Sequence, residues 1–288
     1  MKTATYPFRI GDHQCFVLND DSLVWTADYL IGAEMTQEQL ARVALDFQVD
    51  PGKIPVSTNN LLVSTGRKNV LIDAGSGKRP YPGEREGNLL HNLDVLGFDP
   101  GDIDDIVITH SDYDHIGGIL DQDGQPEFPN AHYHLSANSW AYWSSEEGRD
   151  KIATLHDWPA ERLDFVWGTY ATIQDRLTIV DYDAEFLPGF RIFSAYGHRY
   201  DHDVLKIEAS GKTLIHLADG LLHPVIMADR SWYYTYDVGP EQAIETKERL
   251  LEWCVSEEAL VFATHFPFPG LGTIQRRDTQ WQWQPVGG

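Results

Sequence analysis

Residues 109–118 read THSDYDHIGG and carry four side chains that can bind a metal ion, His110, Asp112, Asp114 and His115. A solvated acidic turn does not explain four such residues within six positions, because two of the four are histidines. Imidazole and carboxylate ligands together suit zinc, iron and manganese. The apolar run IVI before the loop indicates a short buried strand. We therefore predict a metal site in the loop that follows this strand.

Three later predicted strands each end at another potential ligand, namely His198, Asp219 and His265. The first loop alone provides ligands for less than two complete sites, although its adjacent pair Asp114 and His115 suits a second ion. A lone histidine at a strand end is usually a surface residue. Three such potential ligands after the loop at residues 109–118, here called the metal-type loop, favour a common centre. The pattern predicts that these strand ends meet.

Apolar patterns elsewhere indicate a protein of mixed helices and strands. Residues 59–73 (NNLLVSTGRKNVLID) predict a β-hairpin around a polar turn, and residues 204–219 predict a second hairpin. Leucine spacing predicts a helix over 86–96, and residues 240–254 predict an amphipathic helix packed on a sheet. Residues 136–178 are rich in tryptophan and tyrosine, so they either cap the site or pack a helical pair against the body.

The chain of 288 residues is strongly acidic, with 22 basic against 44 acidic side chains and a formal net charge of −22. This charge disfavours nucleic acids and anionic membrane surfaces as partners, because binding to phosphates requires a basic face. Cys15 and Cys254 form no CxxC pair, so we expect two buried thiols. The sequence shows no signal-peptide pattern and no apolar run of membrane-spanning length, so a cytoplasmic protein is expected.

With these ligand positions, the chain resembles the metallo-β-lactamase superfamily from the hairpin at 60–75 to His265. That superfamily carries His-x-His-x-Asp-His, then Gly-His after a strand, a bridging Asp after a hairpin and a last His at a strand end. Residues 128–143 (FPNAHYHLSANSWAYW) and 264–272 (THFPFPGLG) are most similar to the branch of methyl parathion hydrolase and quorum-quenching lactonases.

The resemblance implies an α+β fold of the αββα type, in which two sheets pack face to face with helices outside. It implies one domain over residues 1–288, with 136–178 as a helical aromatic cap. The implied first site comprises His110, Asp112 and His198, the second comprises Asp114, His115 and His265, and Asp219 bridges both ions. Zinc is the first expectation for the two divalent ions, with manganese or iron as alternatives.

Two places depart from the family motif. Asp112 stands where the motif has its second His, and residues 197–202 read GHRYDH where the family usually shows Gly-His-Thr-x-Gly-His. The flavodiiron branch has a Glu at the first of these places and binds iron, and an oxygen ligand there favours iron or manganese relative to zinc. His202 keeps its family place and is expected to hold a ligand in position rather than to bind metal.

Two divalent ions about 3.5–4 Å apart can hold a bridging hydroxide and polarise a carbonyl or phosphoryl oxygen. The chain has no Gly-x-Ser-x-Gly elbow and no glycine-rich phosphate loop, so we predict hydrolysis by a metal-bound hydroxide. Asp114 would orient this hydroxide and carry a proton to the leaving group. Tyr196 and Tyr200 are the predicted oxyanion-stabilising residues, with Tyr113 as a further candidate, and His223 is a possible pocket residue.

These features predict a dinuclear metallohydrolase for a small neutral lactone, ester or phosphotriester, since an acidic surface disfavours anionic substrates. Two alternatives stay open. One is a diiron redox protein, and the other is a non-catalytic scaffold whose first metal site is weakened by Asp112. The expected partner is a small molecule, with a homodimer left open.

Overall fold

The computed structural model describes residues 4–33, 35–78, 85–153 and 160–287. Within these ranges the strands are β1 Thr5–Ile10, β2 His13–Trp25, β3 Ile54–Ser64, β4 Asn69–Ile72, β5 Asp105–Val107, β6 His132–Ser136, β7 Leu177–Val180, β8 Glu185–Leu187, β9 Phe190–Ser194, β10 Asp203–Ala209, β11 Lys212–His216, β12 Leu260–Phe262, β13 Leu271–Arg277 and β14 Gln280–Pro285. The α-helices are α1 Ala27–Leu30, α2 Gln37–Asp46, α3 Leu89–Leu96, α4 Tyr113–Ile116, α5 Ala137–Ser144, α6 Glu146–Ala153, α7 Ala160–Ile173 and α8 Pro240–Ser256. Short 3-10 helices cover Pro100–Asp102, Gln174–Arg176 and Pro224–Ala228.

The strands form two seven-stranded sheets, one running from β1 to β7 in sequence order and one from β14 to β8 in reverse order. In the first sheet, β1 to β4 are antiparallel and β4 to β7 are parallel, while β11 and β12 are parallel in the second. Parallel neighbours require crossover connections, and helices α3 to α8 lie in those connections.

Alternation of side chains along each strand explains how the layers stack. In β3, Leu61 lies in the core between the two sheets, and Leu62 lies in the core beneath α3. In β11, Leu214 lies in the core between the sheets, and Ile215 lies in the core beneath α8. Successive residues of a strand point to opposite faces, so each sheet has one face on its partner and one on helices. The predicted αββα sandwich is confirmed.

Both predicted hairpins are confirmed. β3 and β4 join through a turn in which the Thr65 N–H donates to the Lys68 carbonyl at 2.9 Å. β10 and β11 pair from Ala209 opposite Lys212. The polar residues between the apolar runs therefore mark the turns in both sheets, as the sequence pattern indicated.

The two predicted helices form with small shifts of their ends. The helix expected over 86–96 begins at Leu89, whose N–H donates to the carboxylate of Asp20 at 2.7 Å. The helix expected over 240–254 runs two residues further, to Ser256. Its apolar face packs on the second sheet, as expected for an amphipathic helix.

The aromatic region 136–178 contains α5, α6 and α7, and its residues 154–159 lie outside the described part of the chain. Its side chains are anchored to the body of the protein. The indole N–H of Trp143, for example, donates to Asp201 Oδ2 at 2.6 Å. The region is helical as predicted, and its aromatic residues contribute to the core beneath the helices of the first sheet.

Cys15 and Cys254 are buried thiols, as predicted, and burial raises the pKa of each to about 12. A thiol with such a pKa is a poor nucleophile at neutral pH, so neither cysteine is a candidate for catalysis. In the part of the chain that the structure describes, no helix is both long and apolar enough to cross a bilayer.

Candidate metal centre

The metal-type loop follows β5 and ends in the single helical turn α4, which carries Asp114 and His115. The turn packs closely against the segment that follows β4. A Cβ atom on Gly117 would lie 2.5 Å from the carbonyl oxygen of Ser76, so this position has no room for a side chain. The glycine pair at the end of the loop is therefore required by the close approach of two backbones.

Strands of the second sheet deliver the later ligands. His198 follows β9, Asp219 follows β11 and His265 follows β12. The turn before His198 depends on Gly197, which has a φ of 132° and whose Cβ would lie 2.4 Å from Ala243 Cα of α8. Because the loop after β5 belongs to the first sheet, the ligand cluster is assembled from both sheets.

Asp219 lies at the middle of the cluster. Its carboxylate oxygens are 3.2 Å from His115 Nε2, 3.2 Å from His265 Nε2, 3.3 Å from His198 Nε2 and 3.7 Å from His110 Nε2. Its carboxylate forms one group of potential ligand atoms with His110 and His115, and two further groups lie beside it, each with its atoms within 4.8 Å of one another. The first ligand group comprises His110, Asp112 and His198, and the second ligand group comprises Asp114, His115 and His265. These are the two sets that the family resemblance implies.

Several buried polar atoms of the cluster have no hydrogen-bond partner among the described residues. They are Nε2 of His110, His115 and His198, and Oδ1 of Asp219. An unsatisfied buried polar group ordinarily costs about 1–3 kcal/mol, so four at one point require an explanation. Converging imidazole nitrogens and carboxylate oxygens are a donor set of transition-metal ions such as zinc. The residues therefore fit the two divalent ions that the family motif implies.

The other nitrogen of most of these imidazoles is held by a neighbour. His115 Nδ1 lies 2.8 Å from Asp73 Oδ2, His198 Nδ1 lies 3.1 Å from Asp237 Oδ1, and His265 Nδ1 lies 2.8 Å from the Ser57 carbonyl. Such contacts orient the ring so that Nε2 faces the centre. Sequence reasoning missed Asp73 and Asp237. Asp73 follows the end of β4 and could have been found as a further strand-end residue, whereas Asp237 lies in an irregular segment and gives no such signal.

Asp112, which departs from the family motif, is buried beside two arginines. Arg199 donates from Nε to Asp112 Oδ1 at 2.8 Å and from Nη2 to Oδ2 at 2.7 Å, and Arg162 Nη2 lies 3.4 Å from Oδ1. Burial would raise the pKa of Asp112, but the guanidinium groups of Arg199 and Arg162 hold it well below its usual range. Asp112 is therefore an ionised carboxylate with a cationic partner that the sequence did not reveal.

Neighbouring charges also set the protonation of the central residues. Burial would lower the pKa of His115, but nearby carboxylates, Asp219 foremost, raise it well above its usual range. Burial and the adjacent His115 lower the pKa of His110 well below its usual range. Burial would raise the pKa of Asp219, but His265 and His115 lower it well below its usual range. Opposed shifts among neighbouring groups are typical of functional sites.

A cavity of about 340 Å³ opens in front of the ligand cluster. One side is an aromatic wall formed by Trp25, Tyr29 and Tyr236, whose ring centroids lie 5.5–5.7 Å apart. Arg85 and Arg162 also line the cavity. The cavity thus combines apolar surface with hydrogen-bond donors next to the ligand cluster.

The predicted oxyanion tyrosines lie away from this cavity. The Tyr196 hydroxyl is 3.2 Å from the Tyr182 hydroxyl, and Tyr200 is 41% exposed with its ring packed on Tyr142. Among the described residues, Tyr29 and Tyr236 are the tyrosines that line the cavity. The structure therefore gives no support to the roles predicted for Tyr196 and Tyr200, because proximity in sequence to a ligand does not set the direction of a side chain.

The remaining candidates from the sequence, Tyr113 and His223, are both buried. Of the two, His223 accepts the Val225 N–H at Nδ1 with a distance of 3.2 Å. Neither lines the cavity in the part of the chain described here. His202 Nε2 accepts the Asp219 N–H at 3.0 Å, so it holds the segment of a ligand in position, in agreement with the prediction.

A family model described as the metallo-beta-lactamase superfamily matches residues 54–252, more than half of the chain. The chain belongs to the metallo-β-lactamase superfamily. The match begins at the first residue of β3 and ends within α8, so it includes the metal-type loop, His198 and Asp219, with His265 following it.

The curated relatives of the chain include probable metallo-hydrolases. The chain is 28% identical over 192 residues to probable metallo-hydrolases of Mycobacterium tuberculosis and Mycobacterium bovis. The match covers 57% of this chain and 56% of each relative, so the chain spans about half the length of the curated relatives it matches.

Two solved structures show the same fold over nearly the whole chain. AidC, a dizinc quorum-quenching lactonase, has a TM-score of 0.85 and 24% identity, covering 99% of this chain and 98% of that chain. A probable metal-dependent hydrolase from Staphylococcus aureus has a TM-score of 0.71 and 22% identity, covering 90% of this chain and 91% of that chain. At these identities the likeness establishes the fold alone.

Proposed function

We propose that this protein is a dinuclear metallohydrolase that acts on a small neutral lactone, ester or related substrate. The observation that carries the proposal is the convergence of Nε2 atoms from His110, His115 and His198 on Asp219, where they are buried and have no hydrogen-bond partner among the described residues. Membership of the superfamily and the probable metallo-hydrolases among its relatives support the same reaction class.

We assign one ion to the first ligand group and one to the second, with Asp219 shared between them. Divalent ions held there would supply Lewis-acid activation of water and of the substrate carbonyl oxygen. Zinc is preferred because the donor set is rich in histidine, and AidC is a dizinc enzyme. Manganese and iron are the alternatives, since Asp112 adds an oxygen ligand.

Asp114 is the proposed proton-carrying residue. Its side chain is 30% exposed and lines the cavity, and its carboxylate lies 3.3 Å from His265 Nε2. A carboxylate that faces both the ligand cluster and the cavity can take a proton from attacking water and pass it to a leaving group. Asp112 is less suited to this role, because its side chain is 8% exposed and both of its oxygens accept hydrogen bonds from Arg199.

The cavity supports a substrate with an apolar portion beside a polar reacting centre. The aromatic wall, together with Leu23 and Leu222, offers apolar surface for a ring or acyl chain. The volume of about 340 Å³ falls within the range of about 300–1,000 Å³ typical of small-molecule sites. Lactonase neighbours such as AidC share the fold, which makes lactones the first substrates to test.

We further propose that residues 1–288 act as one domain in which 136–178 cap the cavity. The ligand groups take residues from loops of both sheets, so neither sheet could form the centre alone. Arg162 of α7 lines the cavity, which supports the role of a cap. A small molecule is the proposed partner, and the net charge of −22 supports the exclusion of nucleic acid.

Metal analysis of the purified chain, followed by a substrate screen, tests the proposal. We expect one ion in each ligand group and hydrolysis of acyl-homoserine lactones or aryl esters. Asp114→Asn should lose most of this activity, and Asp94→Asn, at an exposed position of α3, is the matched control. Unchanged hydrolysis in Asp114→Asn would overturn the assigned role. Less than one ion per chain would favour the scaffold alternative, and a redox-active pair of iron ions would favour the diiron alternative.

A further inference from the structure

The two departures from the family motif contact each other. Asp112 replaces the second His of the first motif, and Arg199 occupies the place of the usual Thr after the Gly-His pair. These residues are 87 positions apart in the chain, yet the Arg199 guanidinium forms a two-point hydrogen-bonded pair with the Asp112 carboxylate, at 2.8 Å and 2.7 Å. Such bidentate pairs fix the plane and direction of a carboxylate.

The pair leaves Asp112 directed at the first ligand group. Asp112 Oδ2, which accepts from Arg199 Nη2, also lies 3.6 Å from His198 Nε2 and 3.9 Å from His110 Nε2. An ionised carboxylate has about four lone-pair sites on its two oxygens, so Oδ2 can accept from the guanidinium on one side and bind an ion on the other. Arg199 therefore orients Asp112 without excluding it from the group.

The two residues also carry opposite charges. A carboxylate in place of a neutral imidazole adds one negative charge to the first ligand group, and Arg199 adds one positive charge beside it. Arg199 is itself buried, and its Nη1 donates to the backbone carbonyls of His198 and Tyr236. These contacts fix the guanidinium in place, and a buried charge of this kind is stable only with a partner of opposite sign.

We propose that Arg199 is a positioning residue that allows a carboxylate to replace imidazole in the first ligand group. It orients Asp112 through two hydrogen bonds and balances its charge, so the two substitutions are functional only together. The inference rests on the proposed metal centre, but it concerns metal affinity and does not depend on which substrate is hydrolysed.

A double-mutant cycle with zinc tests this coupling. The variants are Arg199→Thr, Asp112→His and Asp112→His/Arg199→Thr, and the measurement is zinc affinity in each of the two sites by competition with a coloured chelator. We expect each single substitution to weaken zinc binding in the first ligand group by about 10–100-fold. This is the typical effect of losing a residue that holds a metal ligand in position. The double substitution, which recreates the usual family residues at both places, should return affinity to within several-fold of the parent.

Further variants separate the proposal from trivial causes. Arg199→Lys keeps the charge but loses the two-point geometry, and should bind zinc with an affinity between those of the parent and Arg199→Thr. Arg191→Thr removes a surface arginine that pairs with Asp183 and Glu185, and should bind zinc like the parent. Circular dichroism and thermal unfolding of each metal-free chain show whether it folds. If Arg199→Thr does not fold, the comparison of Asp112→His with the double variant carries the test.

Two results would overturn the inference. One is a zinc affinity of Arg199→Thr equal to that of the parent. The other is a double variant whose loss of zinc-binding free energy equals the sum of the losses in the two single variants. Failure of the parent chain itself to bind zinc, manganese or iron would instead reject the proposed function, so the two failures are distinguishable.

Discussion

The two ligand groups contain carboxylates that are two residues apart in sequence, and both line the cavity and lie near imidazoles. They differ in exposure and in their partners, because Asp112 of the first group is 8% exposed and is held by Arg199, whereas Asp114 of the second group is 30% exposed. The same side chain thus serves two purposes, because its partners differ. A carboxylate held by a guanidinium can bind a metal ion. A carboxylate that is more exposed to the cavity can bind a metal ion and also transfer a proton.

The largest effect is expected where the two groups meet. Asp219→Ala removes the carboxylate that lies between both groups, so both should lose their ions and hydrolysis should fall by about 1,000-fold. Metal content per chain and the initial rate with a lactone or ester measure this. Retention of two ions by Asp219→Ala would show that the groups do not share a ligand.

Removing the carboxylate of Asp112 or of Asp114 should change the free energy of unfolding by different amounts. In the metal-free chain, Asp112→Asn leaves the Arg199 charge buried without its carboxylate and should lower the free energy of unfolding by about 3–5 kcal/mol. Asp114→Asn changes a partly exposed group and should alter it by less than about 0.5 kcal/mol. Urea unfolding of both variants gives the comparison, and equal destabilisation would contradict the distinction between the two carboxylates.

Substituting a residue that orients a ligand imidazole should weaken metal binding in one ligand group only. Asp73→Asn affects His115 of the second group, and Asp237→Asn affects His198 of the first group. Each variant should lose about 10–100-fold in affinity for one ion while the other ion is retained. A two-step zinc titration would show this, and loss of both ions together would mean that the groups bind as one unit.

The smallest effect is expected for Asp203, a buried residue near the first ligand group, and concerns the pH dependence of stability. Asp203 follows the loop that carries His198 and Arg199, and it accepts hydrogen bonds from Tyr182 at 2.8 Å and Ser139 at 3.0 Å. Burial raises the pKa of Asp203 to about 8, so the folded chain holds a proton that the unfolded chain releases near pH 4.

The free energy of unfolding contributed by Asp203 should therefore fall as the pH rises from about 4 to about 8. Asp203→Asn removes this titration, so its unfolding free energy should depend less on pH over that window. Urea unfolding at several pH values compares the variant with the parent. Identical slopes would show that Asp203 is ionised in the folded chain throughout the window.

The sequence indicated which candidate ligands lie close together, but it did not indicate the residues that surround them. The ligands follow predicted strands, and the ends of strands that share an edge come together by the geometry of the sheets, as His198 and His265 show. Tyr196 and Tyr200 were chosen because they are near His198 in sequence, and their side chains point elsewhere. A strand reverses side-chain direction at each residue, but an irregular loop has no such period, so proximity there carries no direction.

The sequence by itself determined the turns of both hairpins and the residues able to bind metal, because these depend on local periodicity and on side-chain chemistry, and the αββα layers followed from the family resemblance of its motifs. Only the tertiary structure decided that Arg199 holds Asp112, that Asp73 orients His115, and that Asp114 is the more exposed of the two loop carboxylates that line the cavity. Those contacts join segments far apart in the chain. They depend on how the two sheets pack, which no spacing within either segment records.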